Sequence, residues 1–82
     1  MQQNTVYCRR LKQELEALPE APIPGSLGEI IWRNISAQAY SDWLEVEIKI
    51  INEERLDLSE EAEQERLFRQ MLAYLNLEDL VE

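Results

Sequence analysis

The chain contains no histidine. The commonest general base and the commonest transition-metal ligand are therefore both missing. Ser-His-Asp, Cys-His and Glu-x-x-His arrangements cannot be assembled from it. One cysteine is present, Cys8. A single thiol excludes an internal disulfide and a thiolate zinc cluster within one chain, and it points to a reducing compartment. No apolar run approaches the ~18 residues of a membrane span, and no signal-peptide-like run stands near Met1. A cytoplasmic protein is expected. Basic residues are scarce, with 8 Lys plus Arg against 17 Asp plus Glu, a net charge of −9. Such a chain repels phosphate backbones and anionic lipid surfaces, so neither nucleic acid nor membrane is an expected partner. Cations and basic protein surfaces are.

What is present fits one small folded domain over residues 1–82. Apolar residues make up 45 % of the chain, enough to build a core and to argue against disorder. A domain of this length buries only about 60–65 % of its unfolded surface. It offers surface sites and seams rather than a deep enclosed pocket, and a monomer is expected. There is no internal repeat and no low-complexity stretch.

The apolar spacing divides the chain into a leader and three helical stretches. Thr5, Val6, Tyr7 and Cys8 form a short β-prone cluster. Residues 9–18 are rich in helix formers, with Leu11, Leu15 and Leu18 at helical spacing, and local propensity predicts a short helix there. Pro19, Pro22 and Pro24 then impose an extended linker. Ser26 followed three residues later by Glu29 predicts a capping box at the start of the first helix, which runs to Asn34 and Ile35. Ser36 predicts the N-cap of a longer second helix. Its wide apolar stripe comprises Tyr40, Trp43, Leu44, Val46, Ile50 and Ile51, as befits a central helix. The pattern breaks near Leu56 to Leu58. Ser59 is the expected cap of the third helix, with Glu60 and Glu61 in a first turn that favours carboxylates. Leu67, Phe68, Met71, Leu72 and Leu75 form its inward face. Residues 1–4 and 76–82 are expected to fray.

Few residues are equipped for chemistry. Cys8 is the one soft nucleophile or soft ligand, and Arg9 and Arg10 beside it are candidates to stabilise its thiolate. The competing reading is a small buried hydrophobe. Glu61 with Glu65, and Glu53 with Asp57, stand one helical turn apart, a spacing that lets two carboxylates share a hard cation. No Ca²⁺-loop pattern accompanies them, and such faces are ordinarily just solvated. Any metal held there would exchange readily. The Pro24-Gly25-Ser26-Leu27-Gly28 stretch lacks the Lys-Ser/Thr pair of a phosphate loop and reads as a turn and helix start. Trp32 and Trp43 read as core or half-core residues. Asn52, in a helix interior, is expected to bond a neighbouring backbone group.

Taken in order, these landmarks resemble a known family. Thr5-Val6-Tyr7-Cys8 is followed by Pro24-Gly25-x-x-Gly28, then by Ile35-Ser36-x-x-Ala39-Tyr40-x-x-Trp43. Next comes Ile50-Ile51-Asn52-Glu53-x-Arg55-Leu56, and a last helix carries Glu65 and Met71. The set is similar to the small bacterial Fe(II)-trafficking proteins, also described as oxidative damage protection proteins, over about residues 5–75. The resemblance implies two short antiparallel strands followed by three helices, a mainly α fold with a small N-terminal β-hairpin. Residues 10–18 would then supply the mate of the first strand, against local propensity. It further implies a non-enzymatic role in handling weakly and reversibly bound Fe(2+) and in protecting iron–sulfur proteins from oxidants. Cys8 becomes the redox- or iron-linked thiol, and Pro24, Gly25, Gly28, Trp43, Asn52 and Glu53 the motif residues. Ferrous iron and iron–sulfur clients are the implied partners. The ligands of the iron stay unassigned, with Cys8 a weak candidate. Glu45, Glu47, Ile48 and Lys49 occupy the stretch where the family usually carries His-x-Gln-Thr-Met. The alternative is an acidic helical module of the same fold that binds a basic protein surface and no metal.

Overall fold

A computed structural model describes residues 5–81. Strand β1 (Thr5–Cys8) and strand β2 (Gln13–Glu16) form an antiparallel hairpin, and helices α1 (Gly25–Asn34), α2 (Ala37–Glu54) and α3 (Glu61–Leu75) follow. A single 3₁₀ turn, Glu78–Leu80, comes last. The fold is thus mainly α with an N-terminal hairpin.

The hairpin overrides the helical propensity of residues 9–18. Its register pairs Thr5 with Glu16 and Cys8 with Gln13, leaving a four-residue loop. The Lys12 N–H donates to the Cys8 carbonyl at 2.6 Å, and Lys12 itself takes a left-handed φ of 57° to close the loop. Val6 and Cys8 alternate inward while Thr5 and Tyr7 face water. A lone β1 would leave its backbone ladder unpaired, and pairing with β2 satisfies it. Leu11, Leu15 and Leu18 still pack against the core from their new positions. Tertiary pairing therefore outweighs the few tenths of a kcal/mol per residue that helix propensity offers.

Two capping expectations are corrected. Helix α1 starts at Gly25 with Pro24 as its N-cap and no side-chain cap, so the Ser26–Glu29 box does not form. Pro24 presets the entry and Gly25 absorbs a φ of +89°, which makes the turn without a hydroxyl. The N-cap of α3 is Glu60, not Ser59. Ser59 instead donates its hydroxyl at 2.6 Å and its N–H at 3.0 Å to the Asp57 carboxylate, stabilising the turn before the helix. Ser36 does cap α2: its Oγ accepts the Ala39 N–H at 3.1 Å.

Helices α2 and α3 end alike. Arg55 and Asn76 each adopt the left-handed conformation. The next residue then reaches back, Leu56 N–H to the Ile51 carbonyl at 3.1 Å and Leu77 N–H to the Leu72 carbonyl at 2.9 Å. In both motifs that residue is a buried leucine, the apolar contact that accompanies such an ending. This corrects the expectation of a frayed tail over residues 76–81: Leu77 is fully buried and draws the chain onto the core. Residues 1–4 and 82, for which fraying is also expected, lie outside the described residues.

The core joins the hairpin to all three helices. Cys8, Ile31, Ile35, Ala39, Trp43, Met71, Leu72, Leu75 and Leu77 belong to one cluster. Trp43 packs tilted against Tyr74, ring centroids 5.7 Å apart. Ile50 and Phe68, expected in the interior, are half-buried at its margin, and Leu44 lies off the stripe on the exposed side. Gly28 is where α1 touches the proline-rich linker. A Cβ built there would lie 1.7 Å from the Ile23 carbonyl oxygen, so only glycine fits. Trp32 closes the same side, donating its indole N–H to the Leu18 carbonyl at 2.9 Å.

Candidate functional site

Cys8 ends β1 and points into the core with no exposed surface. The alternation of β1 puts it on the same face as Val6, and two contacts fix that face against the helices. The Arg9 N–H donates to the Asn34 carbonyl at 2.9 Å, and Ala17 forms an antiparallel bridge with Ser36. Ser36 is also fully buried and brings its hydroxyl to the thiol. Burial is the largest single influence on Cys8 and pushes the thiol up. The Ser36 hydroxyl and the backbone groups of Ser36, Leu11 and Arg10 oppose it, and together they hold the thiol below its ordinary range. Cys8 is thus an inward thiol with a stabilised thiolate form, and the accessible thiol implied by a surface redox role is not what the fold presents.

The two arginines expected to activate it are turned elsewhere. Arg9 donates from Nε to the Asn76 carbonyl at 3.0 Å and pairs with Asp79. Asn76 returns a bond from Nδ2 to the Arg9 carbonyl at 3.3 Å. Arg10 donates to the Tyr74 carbonyl at 2.7 Å and lays its guanidinium 3.6 Å above the Tyr74 ring. Both side chains clamp the hairpin loop to the end of α3. The end of a helix favours cations, which is why the loop docks there. Arg10 acts on the thiol only through its backbone.

The motif residues sort by depth. Pro24, Gly25 and Gly28 shape the entry to α1, and Trp43 fills the core. Asn52 and Glu53 are exposed on the last turns of α2, and among the described residues the Asn52 side chain makes no hydrogen bond, contrary to expectation. The carboxylate pairs seen in the sequence lie around the α2–α3 turn. Asp57 there is held below the usual carboxylate range by the Ser59 hydroxyl and N–H. Glu65 faces Arg69 at 3.9 Å, and Arg66 bonds Glu54 at 2.9 Å and Glu63 at 3.4 Å. No group of three or more His, Cys, Asp or Glu side chains able to hold a metal ion occurs among the described residues.

One feature was not legible in the sequence. A groove of about 230 Å³ opens between the linker, α1, α2 and α3, with Ile23, Leu27, Tyr40, Trp43, Phe68 and Met71 among its walls. Glu47 and Gln64 are its charged and amide groups. Burial first, and the Glu47 charge second, push the Tyr40 phenol up and keep it protonated. Among the described residues, no helix is long and apolar enough to cross a membrane.

Residues 1–82 match the family described as Bacterial Fe(2+) trafficking. A protein of Marinomonas sp. (strain MWYL1) named Probable Fe(2+)-trafficking protein is 37 % identical over 75 residues, covering 92 % of this chain and 80 % of the relative. Proteins of the same name from Acidovorax sp. (strain JS42) and Legionella pneumophila (strain Corby) are each 43 % identical. The Acidovorax match covers 82 % of this chain and 74 % of the relative, the Legionella match 85 % and 79 %. This chain belongs to the bacterial Fe(2+) trafficking family.

Proposed function

We propose that this protein carries ferrous iron in a loosely held, exchangeable form and shields iron–sulfur proteins from oxidants, without itself being a catalyst. The observation that carries this reading is the family match along residues 1–82. The iron is cargo. Its hold is weak because ligands come as ones and twos: no trio of metal-ligating side chains is assembled among the described residues. Exposed carboxylates such as Glu53, Asp57 and Glu61 contribute one or two oxygens, and water completes the shell.

Cys8 serves as the redox-linked thiol rather than as a standing ligand. Its burial keeps it from oxidants while the hairpin is closed. When the hairpin opens, the thiolate sulfur attacks one oxygen of a peroxide. The O–O bond breaks, the departing oxygen leaves as hydroxide and is protonated to water, and the sulfur is oxidised by two electrons to a sulfenic acid.

Anaerobic calorimetric titration with Fe(II) tests the reading on wild type and Cys8→Ser. The expected result is chelator-reversible binding weaker than about 1 μM, changed less than about threefold by the substitution. Absence of binding in wild type would overturn it and leave the metal-free interaction module. A loss of binding confined to Cys8→Ser would make the thiol a ligand and contradict the assignment of its role.

A further inference from the structure

The groove between α1, α2 and α3 has no part in holding iron in the reading above, and its chemistry specifies an occupant. Its walls are apolar and aromatic: Leu27 from α1, Tyr40 and Trp43 from α2, Phe68 and Met71 from α3. At about 230 Å³ it falls below the ~300–1,000 Å³ usual for small-molecule and cofactor sites. It suits one large apolar side chain. Glu47 is half-buried at this groove, and among the described residues it has neither an ion pair nor a side-chain hydrogen bond; the other carboxylates without an ion pair are exposed, save Asp42, which accepts from Gln38. A carboxylate beside an apolar slot asks for a cation from outside. A second copy of the chain is a poor source, since each copy carries a net charge of −9.

We propose that this groove docks a partner protein through an exposed apolar side chain flanked by Lys or Arg, the apolar group seating against the half-buried Leu27 and Phe68 and the cation pairing with Glu47. The Tyr40 hydroxyl stays protonated beside that carboxylate, so it remains a hydrogen-bond donor to the partner's backbone. The docking surface is independent of iron: it stands or falls whether or not the chain binds Fe(II).

The test uses the intact protein without metal and short blocked peptides with one central Phe, Leu or Met between two arginines in a Ser/Gly background. Binding is followed by amide chemical shifts and by fluorescence anisotropy. At least one of these peptides is expected to shift the amides of Tyr40, Glu47, Gln64 and Phe68. Replacing its arginines with Gln, or its apolar residue with Ser, is expected to weaken binding about tenfold. Glu47→Gln should weaken it about fivefold or more, while Glu45→Gln, which removes the same charge from an exposed site on the same helix, should change it less than about twofold. Three results would overturn the proposal. The first is no groove shift with any peptide up to about 1 mM. The second is shifts scattered over the acidic surface, and the third is equal weakening by the two glutamate variants. The peptide arms use wild type, so the conclusion holds even where a variant folds poorly.

Discussion

The two ends of this molecule treat polar groups in opposite ways. At the hairpin end, Cys8 and Ser36 are fully buried, and no buried side-chain nitrogen or oxygen among the described residues lacks a partner. Ser36 alone serves a helix cap, a bridge to Ala17 and the thiol. At the α2–α3 end, carboxylates stand in water and the groove lies open beside Glu47. The first arrangement specifies a fold, because a buried polar group left unpaired costs about 1–3 kcal/mol. The second leaves charge available to ions and partners at little cost to stability. The chain's one cysteine sits at the closed end.

Substitutions that sharpen this contrast differ in size. Trp43→Ala should be the most damaging, about 3–5 kcal/mol, because a fully buried ring is lost from the centre of the core. Phe68→Ala, at the open groove, should cost less than Trp43→Ala, and denaturant unfolding of the two variants side by side checks the ranking. Equal losses would mean that the groove is as closed as the core.

Gly28→Ala should cost about 3 kcal/mol, since its new methyl meets the Ile23 carbonyl oxygen and backbone must move. Gly25→Ala meets no atom within 4 Å and has only its φ of +89° to bear, for about 1–2 kcal/mol. Thermal unfolding should rank them in that order.

Ser36→Ala should cost about 1–2 kcal/mol as a lost cap, and it should also raise the Cys8 pKa. The sign of the pH effect follows from the thiol being held below its ordinary range when folded. Its contribution to stability is complete above the unfolded thiol's pKa and is lost as pH falls through the folded value. Wild-type stability should therefore rise with pH across the window just beneath the ordinary thiol range, and Ser36→Ala should flatten that rise. Denaturation midpoints through neutral and mildly alkaline pH measure it.

The smallest effect belongs to the turn before α3. Removing the Ser59 hydroxyl should return the Asp57 pKa toward the ordinary carboxylate value, visible by carboxyl NMR titration of Ser59→Ala. The stability that this depressed carboxylate supplies is present above the ordinary carboxylate pKa and is lost as pH falls through the lowered one.

Much of this was legible in the sequence where the signal is local. The Ser36 cap, a break before the third helix, read near Leu56 to Leu58 where α2 in fact ends at Glu54, and most of the inward face of α3 follow from spacing and side-chain chemistry. The hairpin was not local: residues 9–18 favour a helix, and only the family resemblance supplied the second strand. The left-handed Asn76 followed by Leu77 is a readable helix ending, yet its proximity to the terminus suggested fraying instead. At the site, Cys8 stands out as the single thiol, but nothing in the sequence places Ser36, 28 positions later, beside it. Arginines adjacent in sequence to Cys8 point along the loop to Tyr74, Asn76 and Asp79. The groove draws on the linker and three helices at once, so no single segment announces it.

The central claim of the proposed function is that iron is handled at the open, carboxylate-bearing end and not at Cys8. Paramagnetic line broadening settles it, with substoichiometric Fe(II) added anaerobically to isotope-labelled wild-type protein. The account predicts broadening centred on Glu53, Asp57 and Glu61, removed by chelator, with the amides of Cys8, Leu11 and Ser36 unaffected. Broadening centred on Cys8 and Ser36 would contradict it.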